Sequence, residues 1–557
     1  MAMTKTQRLT LVATGLGLFM IFLDSLIVNV ALPSIQATFK VGESGLQWVV
    51  TAYTLGMAVA IMSVATLADL HGRRRLSLAG IALFTASSVA CGMAGSINVL
   101  NVSRAIQGVA AATVVVTSLA LVSAAFPDPK PKAWAIGVWT AIASTATAIG
   151  PTLGGFLVQR VGWPSIFLVN APVGLVVLTL TWRFVAESRD ERPRRFDVPG
   201  QLLFVAALGS FAYAVIEGNQ SGWLSPEILA LLAFSGAALA AFVYRERRGG
   251  DPMMDLTLFR DRTYSLAILT VFTVSFAIFG MLLVITQYFQ NVRGLSPRTA
   301  GLLLLPYSAT MTLVSLKAGR LIGVVGSRRL ILSGLVSQIA GLAIMIAGLQ
   351  ASTLFVVIGL VFTGMGGALC LTPSTSLAMT AVPLERAGMA SGIMSAQRAL
   401  GSTVGAAVLG AILAAWLGVT LEPHLAPVLT DAEERREVAA SIIANANPRA
   451  YAAEIGPGRP IQHIDAGTRE AIVKAADHDF VDGIRMALAA AITFLALVLA
   501  AGFAWFPRGR SASVLGQTGV VQILEPAMSD EERRALQRSA DTLKAAAARI
   551  RGGGVSA

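Results

Sequence analysis

Two charged residues interrupt apolar stretches of this 557-residue chain where a charge is costly: Asp24 and Arg104. Asp24 sits about 15 residues into a run that starts near Leu9, roughly 22 Å along a helix rising 1.5 Å per residue. A carboxylate at that depth is partly desolvated. Desolvation favours its protonated form, so it can bind and release a proton. The plainer alternative is a snorkelling acid, or one bonded to Asn29. Arg104 lies in Leu100-x-x-x-Arg104-x-x-Gln107-Gly108. A guanidinium stays charged inside a membrane and must find an acid, carbonyls or water. Asp24 is the candidate partner, and a water-filled cavity is the alternative.

Three other patterns have mechanical or electrostatic content. Gly150-Pro151-Thr152-Leu153-Gly154-Gly155 combines a proline, which removes a helix hydrogen bond, with glycines that allow close helix approach. Ala65 to Arg75 places Asp69, Gly72, Arg73, Arg74 and Arg75 between two apolar runs. Such a basic loop stays cytoplasmic and orients its neighbours. Arg398 lies inside an apolar run, whereas Lys317 and Arg320 sit near a helix end from which they can snorkel. Glu217 also ends a run and reads as interfacial. Asn29, Gln107, Asn170, Gln287 and Arg398 are the candidates for lining a substrate cavity.

These residues need helices to position them, and composition supplies the helices. The chain is 55% hydrophobic and only 13% charged, against roughly 25% charged in soluble domains. A mean hydropathy of +0.69 agrees. The chain is therefore an all-α polytopic membrane protein. Its net charge of +12 lies in short loops and a tail, the positive-inside pattern rather than a nucleic-acid face. Cys91 and Cys370 fall in separate apolar runs and read as buried thiols. The first apolar run is too long for a signal peptide and is expected to be a span.

Fourteen spans are predicted, with both termini cytoplasmic. Helix 1 is expected from Leu9 to Leu32, stopping at Pro33. Residues 1–184 form a six-helix bundle, 185–262 carry two extra spans, and 263–506 form a second six-helix bundle. A long periplasmic loop is expected over 421–482, with Thr430 and Glu433 as a capping box. His424, His463 and His478 in that loop lack metal-ligand spacing, so no metal site is assigned. Residues 507–557 form a cytoplasmic tail with an amphipathic helix. Gly319 to Arg329 echoes the first arginine loop, a sign of two related halves.

The loop around Asp69 resembles the signature between helices 2 and 3 of the major facilitator superfamily, with Leu67, Asp69, Gly72, Arg73 and Arg74 matching. Leu23 to Pro33 resembles the helix 1 signature of that family's fourteen-span drug:proton antiporter branch. Arg104-x-x-Gln107-Gly108 resembles its helix 4 motif, and Gly150 to Gly155 its antiporter motif. Trp163 and Phe167-x-x-Asn170-x-Pro172-x-Gly174 resemble the start of its helix 6. Departures are Leu26, Ala65, Leu70, Ala146 and Pro164. The resemblance implies a major facilitator fold of two six-helix bundles plus two inserted helices. It implies proton coupling at Asp24 and Arg104, and a conformational latch at Asp69, Gly72, Arg73 and Arg74. It also implies a seal at Gly150, Pro151, Gly154 and Gly155. Stretches such as Met253 to Arg260 and Met389 to Arg398 look closest to mycobacterial drug exporters of the branch. That implies antibiotics as substrates, with spectinomycin and tetracyclines as candidates.

No phosphate-binding loop, metalloprotease motif or nucleophile elbow is present in the sequence, so neither ATP hydrolysis nor enzyme chemistry is expected. The expected partners are small-molecule drugs, protons and the lipid bilayer, with a proton gradient in place of a cofactor. The expected state is a monomer in the cytoplasmic (inner) membrane. Export of a cell-envelope lipid or metabolite is the rival transport reading. A non-transporting receptor or membrane enzyme is the rival from another class.

Overall fold

The computed structural model describes residues 3–126, 129–189, 197–248, 256–380, 382, 387–445 and 466–505. All of its regular structure is helical. The first half comprises α1 (Lys5–Phe39), α2 (Glu43–His71), α3 (Arg73–Gly92), α4 (Ile97–Ala125), α5 (Pro129–Val161), α6 (Ser165–Leu168) and α7 (Asn170–Phe184). Two further helices, α8 (Val198–Ser221) and α9 (Pro226–Arg248), follow. The second half comprises α10 (Arg262–Gln287), α11 (Pro297–Val325), α12 (Ser327–Ala351), α13 (Thr353–Thr380), α14 (Ala387–Leu425), α15 (Ala432–Asn445) and α16 (Ala466–Trp505). Thirteen segments among the described residues are long and apolar enough to cross a membrane. The 33-residue α5 is not among them. It packs between α1 and α11.

Helix ends are set by local chemistry. Thr4 and Gln7 form a reciprocal capping box on α1. Ser96 caps α4, and Ser296 caps α11 ahead of Pro297. One expectation fails at Pro33. α1 runs through it to Phe39, and Pro33 is buried against the bundle. The missing N–H forfeits one bond, to the Asn29 carbonyl, and packing by neighbouring helices compensates.

In the first half, α1 packs on α4, α5 and α7, while α4 packs on α2 and α3. In the second, α10 packs on α13, α14 and α16, while α12 packs on α13 and α16. The halves repeat one another in detail. The Tyr53 carbonyl and the Met57 N–H lie against Gly108, as those of Tyr307 and Met311 lie against Gly364. Both turns into the third helix of a half use a glycine at positive φ, Gly72 at 100° and Gly326 at 88°. Two residues on, Arg74 donates to the Trp182 carbonyl and Arg328 donates to the Phe503 carbonyl, each at the end of that half's last helix.

The α8–α9 pair lies across the boundary between the halves. Gln201 donates to the Val59 carbonyl at 2.6 Å, and Glu217 accepts from the Trp48 indole at 2.8 Å, so both ends of α8 are tied to α2. Phe204 packs with Leu400 of α14, and Val215 and Ile216 pack with Ala407 and Ala411. Glu217 is thus a structural acceptor.

Within the stretch expected as a long loop at 421–482, the described residues are largely helical. α14 continues to Leu425, α15 intervenes, and α16 already begins at Ala466. Leu421, Leu425, Val438, Ile442, Ile472 and Phe480 belong to the main apolar core, which is why these segments fold. His424 Nδ1 meets the buried Asp479 carboxylate at 2.6 Å, and His478 Nδ1 meets Asp482 at 3.3 Å. The acceptor at the start of α15 is Asp431, which takes the Glu433 N–H at 3.0 Å; Thr430 contributes only its carbonyl, to Arg435. His463 and the tail helix lie outside the described residues.

Candidate functional site

Asp24 and Arg104 meet. Arg104 donates from Nη1 to Asp24 Oδ2 at 2.6 Å, and the two side chains are 1% and 0% exposed. Asp24 Oδ1 accepts from Gln107 Nε2 at 3.0 Å and from Asn170 Nδ2 at 2.8 Å. Three donors therefore converge on one buried carboxylate, the arrangement that satisfies an ionised acid away from water.

Each partner arrives from a different helix. Asp24 is on α1, Arg104 and Gln107 share a face of α4 three residues apart, and Asn170 opens α7 after a break at Val169. Ser88 of α3 is the keystone that the sequence did not reveal. Its hydroxyl accepts from Gln107 at 3.0 Å and Asn170 at 2.9 Å, and donates to the Phe167 carbonyl at 2.9 Å. A serine in an apolar helix has too many bland explanations to be singled out from spacing.

Arg104 is also fastened to α2. Its Nε donates to the Val49 carbonyl at 3.1 Å, and its guanidinium lies 4.2 Å from the centre of the Tyr53 ring. Nη1 additionally donates to Gln107 Oε1 at 2.8 Å. On its other face the same stretch of α2 meets α14. Thr54 and Thr403 hydroxyls bond at 2.8 Å, and the Gln47 side chain lies over Gly410. One segment of α2 thus touches the ion pair and the opposite half.

The candidates for cavity lining separate. Gln107 and Asn170 belong to the buried cluster on Asp24, 0% and 1% exposed. Asn29 does not bond Asp24; its amide N–H donates to the Ser25 and Leu26 carbonyls. Its oxygen is buried with no partner among the described residues. Gln287 is buried near the far end of α10. Arg398 is half-buried on α14 and has no hydrogen bond or ion pair among the described residues.

The glycine motif of α5 faces two ways. Gly150 and Gly154 lie on α1: a Cβ on Gly154 would come 2.6 Å from Ile27, three residues beyond Asp24. Gly155 faces the other half, where a Cβ would come 2.5 Å from the Pro297 carbonyl of α11. Reciprocally, Gly301 of α11 lies on the Pro151 carbonyl.

At the arginine loop, Glu187 is the organising acid, and it was not anticipated. Its carboxylate accepts the backbone N–H groups of Arg74 at 2.9 Å and Arg75 at 3.2 Å, capping α3 from beyond α7. Arg73 N–H donates to the Ser188 carbonyl at 2.9 Å. Gly72 must be glycine twice over, since its φ is 100° and a Cβ would sit 2.8 Å from the Glu187 carboxyl carbon. The side chains of Asp69 and Arg320 lie outside what is described.

Comparison with known proteins agrees with this architecture. The profile described as Major Facilitator Superfamily matches residues 14–406. The chain is 58% identical over 506 residues to the "Multidrug resistance protein Stp" of Mycobacterium tuberculosis (strain CDC 1551 / Oshkosh), covering 91% of this chain and 93% of that one. It is 45% identical over 507 residues to the "Drug efflux pump JefA" of the same strain, covering 91% and 99%. Among solved structures, an inward-facing, occupied bacterial homologue of the human lysosomal transporter Spinster superposes with a TM-score of 0.61 at 16% identity, covering 90% of this chain and 97% of that one. A helical repeat in two halves, with arginine turns and a buried ion pair in the first, thus has its family: this multi-pass membrane protein belongs to the major facilitator superfamily, whose members are transporters rather than enzymes.

Proposed function

We propose that the chain is a proton-driven multidrug exporter working by alternating access, with Asp24 as the proton-binding group. The observation that carries this reading is a carboxylate 0% exposed and held by Arg104, Gln107 and Asn170. Protonation of Asp24 removes its attraction for Arg104. Arg104 keeps its charge and its bonds to Val49 and Tyr53 on α2. The altered pull on α2 reaches α14 through Thr54 and Thr403, so proton binding biases how the halves meet. Gly150, Pro151, Gly154 and Gly155 would seal the far side, and Asp69, Gly72, Arg73 and Arg74 would latch the other. Substrate would sit between the halves, with Asn29, Gln287 and Arg398 contributing to its cavity.

The names carried by the relatives support drug export, and resemblance to the mycobacterial exporters puts forward spectinomycin and tetracyclines. In this reading α5 is the fourteenth span. Residues 1–184 and 263–506 are the two bundles, 185–262 the insert and 507–557 the tail. The protein lies in the inner membrane as a monomer with both termini cytoplasmic, and a proton gradient drives it without a cofactor.

The test is drug-linked proton flux in inverted vesicles, wild type against Asp24→Asn, with a tetracycline and spectinomycin. Wild type should move protons on drug addition, and Asp24→Asn should not. Coupling that survives in the variant removes Asp24 from the mechanism. Absence of drug-linked flux in wild type favours a lipid or metabolite as cargo.

A further inference from the structure

Of the thirteen candidate spans among the described residues, α9 is the least covered by protein, with only 17% of its most apolar stretch buried. Its outer face carries a groove of about 450 Å³ lined by Gly236, Leu239, Ala240, Val243, Tyr244 and Arg247. The recess has a simple cause: Gly236 and Ala240, four residues apart, share a face with no bulk, between larger neighbours. Leu239 and Tyr244 are 47% and 57% exposed, so the walls face outward.

Length and charge point to one occupant. From Gly236 to Arg247 the groove follows about eleven residues, roughly 16 Å at 1.5 Å each. One leaflet of a ~30 Å hydrocarbon core is about 15 Å deep. At the arginine-loop end, Arg245 is neutralised by Asp197 at 2.7 Å. The Arg248 guanidinium lies 4.5 Å from the centre of the Tyr244 ring. Glu246 is turned inward and buried. Arg247 is exposed and makes no ion pair among the described residues, so its charge stands at the mouth of the groove.

We infer that this groove is a binding site for an anionic phospholipid, with an acyl chain along Gly236 and Ala240 and the phosphate on Arg247. Guanidinium suits phosphate because it donates from a planar fork. The tyrosine beside it sits at headgroup level, where an amphipathic ring is at home.

Native mass spectrometry of the full-length protein, titrated with phosphatidylglycerol and with phosphatidylethanolamine, tests this. Arg247→Gln should weaken the first bound phosphatidylglycerol about fivefold, the worth of one interfacial cationic side chain, and weaken phosphatidylethanolamine less, because its ammonium offsets the charge of the same phosphate. Gly236→Leu fills the groove and should weaken both. A Cβ at Gly236 meets nothing within 4 Å, so that variant should fold. Unchanged phosphatidylglycerol binding in both variants overturns the inference. So does a wild-type dimer that Gly236→Leu dissolves while lipid binding persists, because the groove would then hold a second copy of the chain.

Discussion

Gly155 packs on the carbonyl of Pro297: a Cβ there would come within 2.5 Å of the oxygen, and backbone cannot swing aside as a side chain can. The two residues belong to opposite halves, so how closely α5 meets α11 depends on one missing methyl group.

Gly155→Ala is therefore expected to wedge α5 from α11. Overpacking of this kind costs about 1–3 kcal/mol. Gly150→Ala, whose Cβ would meet Leu26 at 3.4 Å, should be much milder. Drug-independent proton leak in proteoliposomes separates them, rising in Gly155→Ala and staying near wild type in Gly150→Ala.

The buried pair should show strong coupling in a double-mutant cycle. Removing one partner of a buried ion pair costs about 3–5 kcal/mol because the survivor is stranded. Arg104→Gln alone should lower thermal stability in detergent markedly. Adding Asp24→Asn should restore part of it, since two amides can bond one another. Additive losses would mean that the pair does not act as a unit.

Glu187 should matter to the arginine loop although it lies over 110 residues away in sequence. Glu187→Gln keeps the shape but removes the charge facing the N-terminus of α3, a loss of about 0.5–2 kcal/mol. Hydrogen exchange at the Arg74 and Arg75 amides should accelerate, with little change at Gly108. Gly72→Ala should be worse, because it adds a strained φ to the collision.

Asp197 supplies a pH dependence. Hydrogen bonds from Arg245 hold its carboxyl below the usual carboxylate range. Because the folded value is depressed, the contribution to stability is complete above the unfolded value of about 3.9. It fades as pH falls through the lower folded value. In Arg245→Gln the melting temperature should drop relative to wild type at pH 6, and the gap should narrow toward pH 3.

Much of this protein was legible from residue order. Helices are local, and apolar runs with arginine punctuation reveal them, so a bundle of many apolar helices, the repeat of the arginine turn and the pairing of Asp24 with Arg104 could be read. Helix limits were less legible where tertiary packing overrides a breaker, as at Pro33, or extends a helix beyond its apolar run, as at Ala466. Only the tertiary structure decided which polar groups meet. Gln107 and Asn170 reach Asp24 from two helices, Ser88 braces both from a third, and Glu187 returns to cap α3. No spacing encodes such contacts, because helix rotation and crossing are set by the packing of all neighbours at once. Hydropathy tells the chain what to bury; the assembled bundle chooses which buried donor finds which acceptor.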